Sequence, residues 1–163
     1  MRIIGTLQQT GADDGSVRVE DVFDTGIEDL WQACTDPERL ARWIAEVSGD
    51  LHVGGGFRAR FTSGWEGTGR VEVCEPPRRL LVWTTEEGAS QEHAIEATLT
   101  PDGDRTLLVI EERGLPAGEL AAYGAGWQVH LEDLAASLAG HDRCDMSARW
   151  RELFPTYEQI APA

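Results

Sequence analysis

Two tryptophan-bearing helical patterns flank a long run of strand-like segments, and this arrangement restricts the fold more than any other feature of the chain. The first pattern spans Thr25 to Ile44 and reads TGIEDLWQACTDPERLARWI. The second begins near Leu120 and carries Gly126-Trp127, followed by Leu131, Leu134 and Leu138. In the first, Ile27, Leu30, Trp31 and Cys34 recur at i, i+3, i+4 and i+7, which is one face of a helix. Leu40, Trp43 and Ile44 do the same for a second short helix. Thr25-x-x-Glu28 and Thr35-x-x-Glu38 read as capping boxes, and Pro37 suits the first turn that follows. A long apolar-striped helix laid over a curved sheet tends to enclose a pocket. Function is therefore expected in that pocket, because no convincing catalytic motif is present.

Between and before these helices the alternation is that of strands. Ile3 to Gln9 and Val17 to Phe23 form an expected hairpin around Thr10-Gly11-Ala12-Asp13-Asp14-Gly15. Gly54-Gly55-Gly56 reads as a turn, after which Phe57, Ala59 and Phe61 alternate with Arg58 and Arg60. It lacks the helix and Lys-Ser/Thr of a phosphate loop. Further strands are expected at 67–75, 79–85, 91–100 and 106–113, joined by turns short enough to imply an antiparallel meander. The long helix is expected from about Ala117 to Leu138, with Gly140 as its C′ glycine. Gly124 and Gly126 inside it should each cost roughly 0.5–1 kcal/mol relative to alanine, which points to a close approach of the sheet or a ligand to the backbone there. The tail, 141–163, carries Trp150, Leu153, Phe154, Tyr157 and Ile160 and is expected to pack on the outside as a helical turn or two.

The chain has 163 residues, enough for one domain with a real core. Acidic residues outnumber basic ones 29 to 14, a net charge of -15 that disfavours nucleic acid and anionic membrane surfaces as partners. Met1-Arg2-Ile3-Ile4-Gly5 does not read as a signal peptide, and no window reaches the apolar length of a membrane span. Cys34, Cys74 and Cys144 are odd in number with no C-x-x-C spacing, so free thiols and a cytoplasmic location are expected.

Four motifs in order carry a resemblance to a known group. They are Leu30-Trp31-x-x-x-Thr35-Asp36-Pro37-Glu38-x-Leu40-x-x-Trp43, then Gly54-Gly55-Gly56-Phe57, then Gly69-x-Val71-x-x-x-x-Pro76-Pro77-x-x-Leu80. The last is Gly126-Trp127-x-x-x-Leu131-x-x-Leu134. The chain resembles the Bet v 1/START-like (SRPBCC) helix-grip superfamily, in its branch related to the activator of Hsp90 ATPase. The resemblance implies an α+β fold: a curved antiparallel sheet around a long C-terminal helix, with two short helices after the early strand. Residues 1–140 would form that domain, hairpin included, and 141–163 an extension packed on it. Relatives bind lipids, polyketides or other apolar small molecules between sheet and helix; some act as cyclases and others protect producing cells from toxins. Two positions depart from the family pattern. Relatives commonly show Leu-x-x-x-Trp where Leu80 is followed here by Trp83, so either the register slips or Trp83 points outward. Relatives also often carry a histidine where this chain has Glu112.

The residues that could carry chemistry are few. Leu108, Ile110 and Glu112 share a strand face, as do His93, Ile95, Ala97 and Leu99, and His130 lies one turn from Trp127. Glu112, His93 and His130 are the candidate acid/base groups if the cavity is catalytic. The competing reading makes each a rim residue touching water or a backbone partner, and in a binder Glu112 would orient the polar end of an otherwise apolar ligand. Trp43, Phe57, Phe61, Trp65, Tyr123 and Trp127 are the candidate aromatic lining, to which core packing is the competing claim. His130-x-x-Asp133 has ligand spacing but no third partner, so no metal is expected, and no motif calls for a cofactor. Cys34, on an apolar helix face, reads as inert packing. The leading expectation is an apolar small-molecule binder acting as a carrier, sensor or sequestering protein. The alternative is a cyclase- or dehydratase-type enzyme. A co-chaperone role is the weakest of the three, since fold does not transfer function. The sequence leaves open whether the protein is a monomer or a homodimer.

Overall fold

A computed structural model describes residues 3–162; Met1 and Arg2, read above for a leader segment, and Ala163 at the end of the tail lie outside it. The expected meander forms a single eight-stranded antiparallel sheet. Its strands are β1 (Thr6–Gln9), β2 (Asp14–Phe23), β3 (Ala45–Gly49), β4 (Gly56–Phe61), β5 (Glu66–Glu75), β6 (Arg79–Glu86), β7 (Glu92–Asp102) and β8 (Arg105–Pro116). Their order in space is β1-β2-β8-β7-β6-β5-β4-β3. Only the β2–β8 pairing joins strands distant in sequence, and the two helical segments α1 (Ile27–Thr35) and α2 (Pro37–Leu40) fill the gap between β2 and β3. β3 was not expected; it is a five-residue edge strand with too little alternation to stand out.

Alternation decides which side of the sheet is covered. Val17, Val19 and Phe23 on β2, Leu99 on β7 and Leu108 and Ile110 on β8 are almost wholly buried. They meet Leu30, Trp31 and Cys34 from the inner face of α1 in one continuous core. Bulges between Gly15 and Ser16 and between Val71 and Val73 break the ladder and bend the sheet. The second bulge lies beside Trp83, whose side chain points outward: its indole N–H donates to Glu72 at 2.8 Å and the Arg70 guanidinium lies over its ring. Thr84 takes the inward position.

Neither expected capping box forms. Gly26 is the N-cap of α1, and the Thr25 hydroxyl donates to Asp29 instead. In α2 the cap is Asp36, whose carboxylate accepts from the Glu38 amide, while the Thr35 hydroxyl donates back to the Trp31 carbonyl. Each threonine stands one residue too early, and at α2 the neighbouring carboxylate is the better acceptor. Trp43 follows α2 rather than lying on it.

The long helix α3 (Leu120–Leu138) follows a single 3-10 turn at 117–119 and ends, as expected, with Gly140 in a left-handed conformation (φ 79°). It lies against β1 and β2. Its buried residues include Leu120, Gly124, Trp127, Gln128, His130, Leu131, Asp133 and Leu134, which surround the axis rather than forming one stripe. The tail supplies the reason: it forms not one or two turns but a 15-residue helix, α4 (Met146–Ile160), covering the far side of α3. Asp145 caps α4 through the Ala148 amide, Arg149 forks onto the Glu132 carboxylate, and the Tyr157 hydroxyl donates to Gln128 at 2.6 Å. A helix apolar on all sides is a buried helix. The two helix glycines then separate. A Cβ at Gly124 would lie 2.6 Å from the Tyr157 ring and 2.9 Å from Leu7, so close approach explains it. At Gly126 a Cβ would meet nothing within 4 Å, so close approach does not explain that one.

Candidate functional site

α3 leans toward the β1–β2 side, and the rest of the sheet's inner face stands away from it. The gap is a cavity of about 620 Å³, partly open to solvent. Its walls come from four parts of the chain. Phe61 and Trp65, at the ends of the β4–β5 turn, meet edge to face at 5.1 Å between ring centroids. The sheet contributes Thr84, Ile95 and Glu112. Tyr123, Gly126, Trp127 and His130 of α3 follow one another at helical spacing and so share a face. Met146, Ser147, Trp150 and Arg151 of α4 close the remaining side. Gly126 is thus a gap in the helix surface opening on the cavity.

Glu112 occupies the polar end. Strand register puts it between Val17 of β2 and Ile95 of β7, on the inner face of β8, where it is 5% exposed. Two groups satisfy it there. The Trp127 indole N–H donates to Oε1 at 2.8 Å, and His93 Nδ1 lies 3.3 Å from Oε2. The hydrogen bond to Glu112 raises the pKa of His93 above the usual imidazole value, against the effect of burial. Tyr123 stands edge-on to His93 at 5.9 Å. Burial, and then the Glu112 charge, push the Tyr123 phenol well above its ordinary range, so it remains a neutral hydroxyl.

His130 is a different kind of histidine. It is 3% exposed and held edge-to-face between Phe61 at 5.7 Å and Trp127 at 5.5 Å. Burial drives its pKa down to about 3, and the backbone of Trp43 offsets little of that. The ring is neutral at any physiological pH, which removes His130 as a proton carrier. Trp127 therefore divides the site, with the Glu112–His93 contact beyond its N–H and the buried imidazole of His130 beside its ring.

Six of the expected residues line the cavity: Phe61, Trp65, Glu112, Tyr123, Trp127 and His130. His93 stands behind Glu112 rather than in the wall. Trp43 and Phe57 lie elsewhere. The Trp43 indole donates to the Ala33 carbonyl deep in the core, and the Phe57 ring covers Gly69 at the opposite end of β4. Sequence reasoning missed Thr84 and the α4 residues, although the apolar spacing of Trp150, Leu153, Phe154 and Tyr157 was a usable signal. Cys34, Cys74 and Cys144 are free thiols, and burial pushes the Cys34 thiol up to about 12, consistent with inert packing. Among the described residues, no three His, Cys, Asp or Glu side chains converge as metal ligands would, and no helix is long and apolar enough to cross a membrane.

Known proteins share this architecture. The chain is similar to CalU16 from Micromonospora echinospora, with 28% identity over the whole of both chains and a TM-score of 0.82 to the crystal structure. It is similar to DynU16, described as a protein of the dynemicin biosynthetic locus, with 29% identity and a TM-score of 0.72 over 78% of this chain and 48% of that one. The BPP1335 protein of Bordetella parapertussis shares the fold at 21% identity and a TM-score of 0.74, covering 97% of this chain and 92% of that one. A comparison with functionally curated proteins finds no match. A sequence model of the family described as activator of Hsp90 ATPase homolog 1-like protein matches residues 24–139. The chain belongs to that family.

Proposed function

We propose that this protein binds a flat, apolar small molecule in the cavity between the sheet, α3 and α4, as a carrier, sensor or sequestering protein. The observation that carries the reading is the cavity wall itself: Phe61, Trp65, Tyr123, Trp127 and Trp150 surround about 620 Å³. Small-molecule sites are commonly of this size, roughly 300–1,000 Å³, mostly apolar with a few placed polar groups. The similarity to a protein of the dynemicin biosynthetic locus supports the same reading. Residues 1–140 are taken as the ligand-gripping domain and 141–163 as an extension that supplies one wall, in a cytoplasmic protein. The decisive experiment is native mass spectrometry of the protein purified from its own host, alongside Gly126→Leu, which would fill the gap in α3. A co-purifying apolar molecule present in the wild type and depleted in the variant is expected. Equal loading of both would refute the cavity as the site.

A second reading rests on one distance. His93 Nδ1 and Glu112 Oε2 are 3.3 Å apart beside the cavity, an acid/base pair within reach of a bound ligand. Under this reading Glu112 moves a proton on the ligand and His93 sets its charge. Loss of turnover in Glu112→Gln without loss of ligand binding would distinguish it from simple binding.

A further inference from the structure

Two side chains at the polar end of the cavity have hydrogen-bonding capacity that the fold leaves unused. Glu112 is the first. An indole N–H is a donor only, so the Glu112 Oε1 that Trp127 meets at 2.8 Å is an acceptor, and His93 Nδ1 stands 3.3 Å from Oε2. A carboxylate offers about four acceptor sites over its two oxygens, so at least two remain open. The Tyr123 hydroxyl is the second. It makes no hydrogen bond among the described residues, yet it is not one of the polar atoms sealed from solvent. It lies near enough to Glu112 and Glu86 to feel both charges, and both of those side chains line the cavity with it. A tyrosine hydroxyl set into a protein interior ordinarily finds a partner.

We propose that Glu112 and Tyr123 together recognise the hydroxyl of a neutral, flat aromatic ligand, which donates to the Glu112 carboxylate and accepts from the Tyr123 O–H. A hydroxyl meets both demands with one group. An ether or ketone oxygen only accepts, so it could satisfy Tyr123 but would leave Glu112 unmet. An anionic ligand would bring its charge up to the carboxylates of Glu112, Glu86 and Glu119, all of which act on the Tyr123 hydroxyl. Both recognition groups are also held before a ligand arrives. The Trp127 N–H pins Glu112, and the Tyr123 ring stands edge-on to His93 at 5.9 Å. Tyr123 and Trp127 lie one turn apart on one face of α3, so a single helix positions the phenol and the indole that holds its companion.

The inference rests on the binding function proposed above, and the test separates the two. Equilibrium dialysis would compare 2-methylnaphthalene, 2-methoxynaphthalene and 2-naphthol, flat probes that carry no polar group, an acceptor alone, and a donor with an acceptor. Hydrophobicity alone ranks 2-naphthol last, so the order itself is diagnostic. The wild type should bind 2-naphthol roughly five-fold tighter than 2-methylnaphthalene, the net gain of about one hydrogen bond, with 2-methoxynaphthalene falling short of 2-naphthol. Tyr123→Phe keeps the ring and should weaken 2-naphthol by a similar factor while leaving 2-methylnaphthalene unchanged. Failure of all three probes to bind would overturn the binding function and this site with it. Binding without a hydroxyl preference would overturn the paired site alone. So would 2-methoxynaphthalene binding as tightly as 2-naphthol, or 2-naphthol affinity that is the same in Tyr123→Phe. Should that variant fail to fold, ¹³C NMR of the wild-type Tyr123 ring decides the matter. The Cζ resonance must move on adding 2-naphthol and stay in place with 2-methylnaphthalene.

Discussion

Replacing His130 with phenylalanine should remove an acid sensitivity that the fold carries at its centre. Unfolded, this imidazole takes up a proton near pH 6.5; folded, it resists protonation until about pH 3. Over that interval the unfolded chain binds more protons than the native one, so stability falls as pH falls. Each unit of separation is worth about 1.4 kcal/mol. At pH 7 the penalty is close to zero, and at pH 5 it amounts to about 2 kcal/mol for a group with these two values. His93 acts in the opposite direction. Its folded pKa is raised by Glu112, so its contribution is complete below the unfolded value and is lost as pH rises through the folded one. Subtracting the variant from the wild type cancels His93 and the carboxylates. Urea unfolding of both proteins at pH 7 and pH 5 gives the comparison directly. The stability difference between variant and wild type should shift in the variant's favour by about 2 kcal/mol at pH 5. A difference that does not change with pH would mean that His130 is hydrated in the folded protein, and the account of its environment would be wrong.

Three further outcomes follow from the same geometry. Gly124→Ala should destabilise the protein by about 1–3 kcal/mol, because the new methyl meets the Tyr157 ring at 2.6 Å, whereas Gly126→Ala should gain roughly 0.5–1 kcal/mol; thermal unfolding of the pair reads both signs. Glu112→Gln should keep the fold, since an amide oxygen can still accept from Trp127, while the His93 pKa falls; an NMR titration in which His93 is unmoved would show that the 3.3 Å contact is not an ion pair. Tyr157→Phe should cost about 1–3 kcal/mol in chemical denaturation, since the hydroxyl both donates to Gln128 and accepts from the Gly5 amide at 2.7 Å.

Much of the fold was legible because period-two alternation and turn residues act locally. The hairpin of β1 and β2, strands β4 to β8, the first short helix and the Gly140 stop fall where pattern places them, while the second helix ends at Leu40, short of Trp43 and Ile44. Local rules also put Glu112 and His93 on inward faces. Their meeting could not be read locally, because it depends on the register that sets Ile95 opposite Glu112, and the Trp127 contact depends on α3 turning its indole toward Glu112. The two histidines looked alike in sequence. Only tertiary context separates them, since His93 gains a carboxylate while His130 gains nothing but rings and burial. α4 was concealed for a different reason: Pro155 sits inside it, where proline normally ends a helix, and its stability comes from α3 rather than from its own sequence.

The way α4 is fastened has a consequence for how this cavity can change. Its fastenings are Arg149 on Glu132, the Trp150 indole on the Ala122 carbonyl and Tyr157 on Gln128. Met146, Ser147 and Arg151 border the cavity and make no side-chain hydrogen bond among the described residues. Apart from Trp150, which does both, attachment and lining fall to different side chains of one helix, and that helix lies beyond residues 24–139, which the family model matches. The wall can be rewritten at those three positions while its hinges stay in place. Under the binding function proposed above, such a scaffold lets ligand preference drift, or be engineered, without passing through an unfolded sequence.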